Sequence, residues 1–237
     1  MREKLTLKKQ SHDRITWRSH EPSRLETFSD AVFAFALTLI VVSIEVPKSF
    51  DELTVVMKGT FSFAFCFFIL FMIWNTQNIF FRRYGLKDGY TVALNGILLF
   101  VSLIYVYPMK FLTTLFADGT YVEHGEVLPR IRTEQGPYLM IIYSAGYVMI
   151  YLLFFLMYKN AEKKVVELDL TPKELYETKT TAYINMINML IGLLVIIVVL
   201  IVPVKMAGAC GFIYFIIGPS YAIWYGYRGK RSRLMFG

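Results

Sequence analysis

Six apolar stretches, each near or beyond the roughly 20 residues that cross a bilayer core, limit what this 237-residue chain can fold into. They lie at about 27–46, 54–81, 90–112, 138–158, 176–202 and 207–226. Hydrophobic residues make up 56% of the chain and aromatic residues 16%, with a mean hydropathy of +0.48. A soluble domain of this size needs far more polar surface. The pattern predicts an all-α integral membrane protein with six transmembrane helices. A basic tail covers 1–26, the six-helix transmembrane domain 27–226, and a second basic tail 227–237. The first run follows a mostly polar segment and precedes no cleavage-site pattern, so it is read as a span and not a removable signal peptide.

The net charge of +7 sits in tails and loops beside these runs, where membrane lipid and topology account for it and nucleic acid does not. Arg2, Lys4, Lys8, Lys9, Arg14, Arg18 and Arg24 precede the first run. Arg82, Arg83 and Lys87 join the second to the third, and Lys159, Lys163, Lys164, Lys173 and Lys179 join the fourth to the fifth. Arg228, Lys230, Arg231 and Arg233 close the chain. The other side holds fewer cations, diluted by Asp118, Glu123, Glu126 and Glu134. Both termini are therefore expected on the cytoplasmic side. Two helix starts are marked locally: "TPKE" from Thr171 combines an N-cap threonine, a proline and a capping-box glutamate, and "SRLE" from Ser23 has the same form.

Chemistry finds few footholds. The histidines, His12, His20 and His124, all lie outside the runs, and Cys66 and Cys210 form no CxxC pair. There is no HExxH, GxSxG or Walker loop, so an enzyme is not expected. A coupled transporter normally keeps charged residues near the bilayer midplane, and here Asp30, Glu45, Lys58 and Lys110 fall toward span ends. The deep polar residues are neutral: Asn75, Thr76, Gln77 and Asn78, then Asn95, then Asn185 and Asn188. Hydrogen bonding between helices is the expectation for them. A secondary ion transporter stays open as an alternative, distinguished by saturable, coupled flux, as does a membrane scaffold that passes no ions.

The first run, "RLETFSDAVFAFALTLIVVSIEVP", has a charged and hydroxylated mouth. At 100° per residue, Arg24, Phe28, Ala31, Phe35, Thr38, Leu39, Val42 and Val46 share one stripe, with Ser29 and Asp30 turned away from it. Thr38 either lines a pore or bonds back to the preceding turn. No "TVGYG" carbonyl filter occurs.

The segment "RLETFSDAVFAFALTLIVV" resembles the Arg-x-x-x-Phe-Ser-Asp signature of the transmembrane protein 175 family of potassium channels, which are lysosomal in animals and plasma-membrane proteins in bacteria and archaea. "ALNGILLFVSLIYVYPMKF" is similar to that family's third helix, and the six-span layout matches one family repeat. The resemblance implies a potassium-selective, passively conducting homotetramer of the prokaryotic plasma membrane, with an axial pore lined by the first helix and no cofactor beyond permeant K⁺. It implies a hydrophobic constriction and pore lining at Phe35, Thr38, Leu39 and Val42, with K⁺ near Thr38. It also implies that Arg24, Phe28, Ser29, Asp30 and Gln77 form a network fixing the helix, with Arg24 near Asp30. Two departures stand out. Phe35 occupies the position usually held by leucine or isoleucine, and Gln77 stands where histidine is usual, so no pH response is expected there.

Overall fold

The computed structural model describes residues 17–18, 21–42, 48–58, 60–117, 120–123 and 126–236. Most of the expected N-terminal tail, Glu45 at the end of the first run, and Val46 of its stripe fall outside them. Seven α-helices follow in order among the described residues: α1 (Arg24–Val42), α2 (Phe50–Lys58), α3 (Thr60–Tyr84), α4 (Gly89–Ala117), α5 (Gly136–Lys163), α6 (Pro172–Ile201) and α7 (Ile217–Phe236). Among the described residues, five helical segments are long and apolar enough to cross a membrane: Phe63–Tyr84, Gly89–Leu112, Thr133–Lys163, Pro172–Ile201 and Val204–Phe236.

Local chemistry sets the helix starts. Before α6, the Thr171 hydroxyl accepts from the Glu174 N–H, and the Glu174 side chain accepts from the Thr171 N–H, closing the expected capping box. Ser23 and Glu26 close the same box before α1, at 3.3 and 3.0 Å. Asp88 opens α4 by accepting from the Thr91 N–H at 3.2 Å and the Thr91 hydroxyl at 2.8 Å. Arg82 and Arg83 occupy the last turn of α3, where cations complement the carbonyl end of the helix.

Contacts between these ends fix the up-and-down order. Asn160 at the end of α5 donates to Asp88 at the start of α4, 3.2 Å away. Tyr176 in the first turns of α6 donates to the Arg228 carbonyl near the end of α7, at 3.1 Å. The Arg18 N–H donates to the Arg82 carbonyl at the end of α3, at 3.0 Å. The N-terminal approach to α1 and the end of α7 therefore share one end of the bundle. Packing between the helices uses small residues at close approaches. A Cβ on Gly192 of α6 would lie 2.7 Å from Val148 Cγ2, and one on Gly146 of α5 would lie 2.3 Å from the Tyr105 ring of α4.

Three features depart from the sequence reading. The second apolar stretch does not form one helix from 54, because α2 precedes α3 and ends at Lys58. The connection between α4 and α5 contains a two-stranded antiparallel hairpin, β1 (Thr120–Glu123) and β2 (Glu126–Pro129), an unforeseen detail within an all-α fold. Tyr121 pairs with Leu128 and Val122 with Val127, residue types that suit strands. The last span, expected as an α-helix over 207–226, begins as a 3₁₀ helix over Val204–Ile216 and only then continues as α7. Side chains at i and i+3 eclipse in a 3₁₀ helix, and the run Ala207, Gly208, Ala209, Cys210, Gly211 has little bulk to collide. At about 2.0 Å per residue against 1.5, the tighter winding also lengthens this stretch by about a third.

Candidate functional site

Helix α1 has two opposite faces. Ser29, Phe33 and Ala36 recur at spacings of four and three and are buried, at 0%, 3% and 1% exposure. Phe33 joins a core with Ile73, Phe80, Leu94 and Leu98, and Ala36 joins Cys66, Leu70, Val106 and Met109. The other face carries Arg24, Phe28, Ala31, Phe35 and Thr38, all exposed, with Phe28 at 61% and Phe35 at 58%. Leu39 lies half-buried at its edge, and Val42 is the last described residue of the helix. From Arg24 to Thr38, the stripe expected from the helical wheel is thus a face left exposed among the described residues.

Thr38 is both exposed and bonded backwards. Its hydroxyl donates to the Phe35 carbonyl at 2.7 Å. With its proton committed to the backbone, the oxygen has only lone pairs left to offer outward. Such an oxygen suits a cation and repels an anion.

On the buried side, three helices are tied by a chain of side-chain hydrogen bonds. The Gln77 amide donates to Asn95 Oδ1 at 2.8 Å, the Asn95 amide donates to Ser29 Oγ at 2.9 Å, and Ser29 donates to the Leu25 carbonyl at 2.8 Å. Gln77, Asn95 and Ser29 are buried, so each bond replaces one that neither water nor lipid supplies there. Gln77 and Ser29, both expected in the helix-fixing network, meet through Asn95. Sequence reading placed Asn95 only among the deep polar residues expected to bond between helices. Elsewhere Asn188 plays a similar part, accepting from the Tyr147 hydroxyl and donating to Tyr221, both at 2.8 Å.

Within one chain, Arg24 and Asp30 do not meet. Asp30 accepts from the Trp74 indole N–H at 2.7 Å, while Arg24 is exposed and makes no ion pair with Asp30. Six residues on a helix turn the two side chains about 120° apart, which keeps them from meeting along one face. Phe28 lies on the open face and not among the buried bonds. Beside Asp30 is a small cavity of about 80 Å³ lined by Glu21, Glu26, Gln77, Asn78 and Arg82.

An ion pair that sequence reading missed anchors the approach to α1. The Arg18 guanidinium grips both Glu174 oxygens, at 3.1 and 3.0 Å, and donates to the Leu168 carbonyl at 2.8 Å. Trp17 lies under the Arg82 guanidinium, 4.8 Å from ring centre to carbon. Glu174 belonged to a recognised capping box, but nothing local in the sequence points from it to Arg18.

Three comparisons bear on this arrangement. The sequence matches the family described as endosomal/lysosomal potassium channel TMEM175 over residues 24–108, the segment that contains α1 and the Gln77 and Asn95 positions. A protein of Marivirga tractuosa named "Potassium channel" is 37% identical over 232 residues, covering 92% of this chain and 92% of that protein. The crystal structure of the potassium channel MtTMEM175 T38A variant, in complex with a nanobody–MBP fusion protein, shares the fold with a TM-score of 0.79. It is 35% identical, over 92% of this chain and 98% of that one. A TMEM175 homologue from Chamaesiphon minutus, described as a lysosomal potassium-selective channel homologue, has the same fold at 20% identity and a TM-score of 0.51, over 90% and 99% of the two chains.

Proposed function

The chain belongs to the TMEM175 family, and from that premise we propose that it is a potassium-selective channel conducting passively along a pore lined by α1 in a homotetramer. The observation that carries this reading is the uncovered face of α1, polar at its mouth through Arg24 and Thr27 and apolar beyond it except for the Thr38 hydroxyl. A monomer has no use for such a face on a helix whose reverse side is packed. Closed cyclic assembly around it encloses an axis, and one pore helix per chain requires several copies. In this reading α1 is the first of six membrane crossings, residues 27–226 are the channel domain, and the basic segments 1–26 and 227–237 are its tails. The Lys/Arg bias supports both termini in the cytoplasm, and the single-repeat length shared with a bacterial relative supports a prokaryotic plasma membrane. A purified mass in mild detergent matching a monomer or dimer overturns the tetramer, and an external reporter signal from a C-terminal fusion overturns the orientation.

Conduction follows from the side chains. Apolar rings at Phe35, Leu39 and Val42 offer no oxygen to replace an ion's hydration shell, so they act as a barrier that favours the more weakly hydrated K⁺ over Na⁺. Thr38 lies one helical turn from Phe35, and its lone pairs hold a partly hydrated K⁺ within that apolar stretch. The MtTMEM175 relative was crystallised as its T38A variant, a position of the same number and residue type as in this chain. Reversal potentials under bi-ionic conditions test the assignment. Thr38→Ala is expected to lower the K⁺/Na⁺ permeability ratio with assembly intact, and Phe35→Ala to raise conductance for both ions. An unchanged ratio in Thr38→Ala reduces that hydroxyl to a helix-capping bond. Saturable flux that depends on a coupling ion favours the transporter reading instead.

A further inference from the structure

The end of the bundle where α3 finishes, α6 starts and α7 finishes holds a cavity of about 310 Å³ that conduction does not use. Its wall includes Arg83, Tyr176, Glu177, Tyr225, Arg228 and Ser232. Arg83 is more than nine-tenths buried. Its Nη2 donates to Glu177 at 2.9 Å, and its Nε is buried with no acceptor. Arg228 is held flat over the Tyr176 ring, 3.7 Å away, with Nε donating to Thr180 Oγ1 at 2.9 Å and Nη2 to the Tyr176 carbonyl at 3.1 Å. Its Nη1 and the Ser232 hydroxyl have no partner among the described residues.

The wall therefore carries two guanidiniums against one carboxylate, leaving one net positive charge and more donors than acceptors. That balance suits a singly charged oxyanion, because a planar guanidinium pre-set on an aromatic ring presents its remaining N–H groups to phosphate oxygens. The apolar part of the occupant also has a place. Tyr225, on the cavity wall, is 46% exposed, on a segment apolar enough to lie in a membrane. Lys230, Arg231 and Arg233 follow at the same end, where anionic headgroups concentrate.

We propose that this cavity binds the phosphodiester of a net-anionic phospholipid, with Arg228 and Ser232 contacting the phosphate and the acyl chains lying along α7. Arg83 holds Glu177 away from the phosphate and supplies the balancing charge. The site lies outside the α1 face, so the proposal stands or falls independently of how ions are conducted.

The test uses the full-length oligomer in an uncharged detergent, with bound lipid counted by native mass spectrometry. Dioctanoylphosphatidylglycerol is titrated against dioctanoylphosphatidylcholine and against inorganic phosphate. Phosphatidylglycerol is expected to bind saturably, and phosphatidylcholine at least about tenfold more weakly, since the net charge differs while the chains do not. Arg228→Gln is expected to weaken phosphatidylglycerol binding about tenfold. Ser232→Glu, which removes no bond of the fold and sets a carboxylate at the rim, is expected to do the same with an unchanged elution profile. Equal binding of the two lipids overturns the proposal, as does wild-type binding by either variant that elutes normally. Displacement of the lipid by inorganic phosphate at similar concentration makes the cavity a free-anion site and overturns the lipid assignment. Absence of any saturable binding overturns the site altogether.

Discussion

Asn95→Leu lowers the stability of the folded protein in detergent by about 1–3 kcal/mol, the cost of orphaning a buried donor or acceptor. The leucine fills a similar space, so the loss comes from hydrogen bonds and not from a cavity. Two bonds disappear together: the Gln77 amide loses its acceptor and Ser29 Oγ loses a donor. Ser29 suffers little, because its own hydroxyl still donates to the Leu25 carbonyl at 2.8 Å. Gln77, 2% exposed, donates to no second acceptor among the described residues and bears most of the cost. Interhelical hydrogen bonds in membrane proteins average about 0.6 kcal/mol when the unfolded state finds replacements, so the lower half of the range is expected if Gln77 swings to another partner. The decisive measurement is a double-mutant cycle with Gln77→Leu, read by thermal unfolding. Removing both partners costs clearly less than the sum of the single losses if the two act as one unit. Strict additivity means the relay between α1, α3 and α4 carries no coupling. Because Ser29 is on the face of α1 opposite Phe35 and Thr38, the same lesion loosens the rotation of the exposed stripe.

What the sequence made legible was local or periodic. Both capping boxes lie within four residues of chain, and the two faces of α1 repeat with the helical turn, so spacing alone located them. The buried partners were not legible for a geometric reason. Ser29 and Asn95 are 66 residues apart, and their meeting depends on how α1 and α4 are rotated about their own axes. Trp74 reaches Asp30 across 44 residues on the same terms. The expectation of Arg24 near Asp30 came from the family resemblance, and within one chain the helical turn between them sets the two side chains about 120° apart. The 3₁₀ stretch escaped because hydropathy reports that a segment is apolar and says nothing of whether its bonds run to i−3 or i−4. Gly146 and Gly192 are equally opaque beforehand. A glycine in an apolar run announces flexibility, whereas here each marks where a neighbouring side chain fills the space of a Cβ.

Arg18→Met destabilises the protein by roughly 3–5 kcal/mol, and adding Glu174→Gln restores part of that loss. The argument turns on which partner is left behind. Arg18 is 19% exposed in its side chain and Glu174 only 3%, so the carboxylate is the group that has nowhere to go. Without the guanidinium, Glu174 keeps its bonds from the Thr171 N–H and hydroxyl, at 3.0 and 3.2 Å, but loses the cation that grips both of its oxygens. Arg83, whose Nη2 lies 3.4 Å from the Glu174 carbonyl, already spends its charge on Glu177 at 2.9 Å. Glutamine at 174 removes the stranded charge while its amide oxygen still accepts from Thr171, so the capping box survives. The double variant should therefore melt above Arg18→Met alone, although each substitution by itself destabilises. If the double variant melts at or below the single one, the cost of Arg18→Met lies in its lost bonds to the Leu168 and Asp169 carbonyls and not in the charge. The pair lies six residues ahead of α1 and joins that approach to the start of α6. In the channel reading, a melted latch frees the mouth of the pore helix from the outer half of the bundle, so a drop in open-channel conductance or in recovered oligomer accompanies the loss of stability.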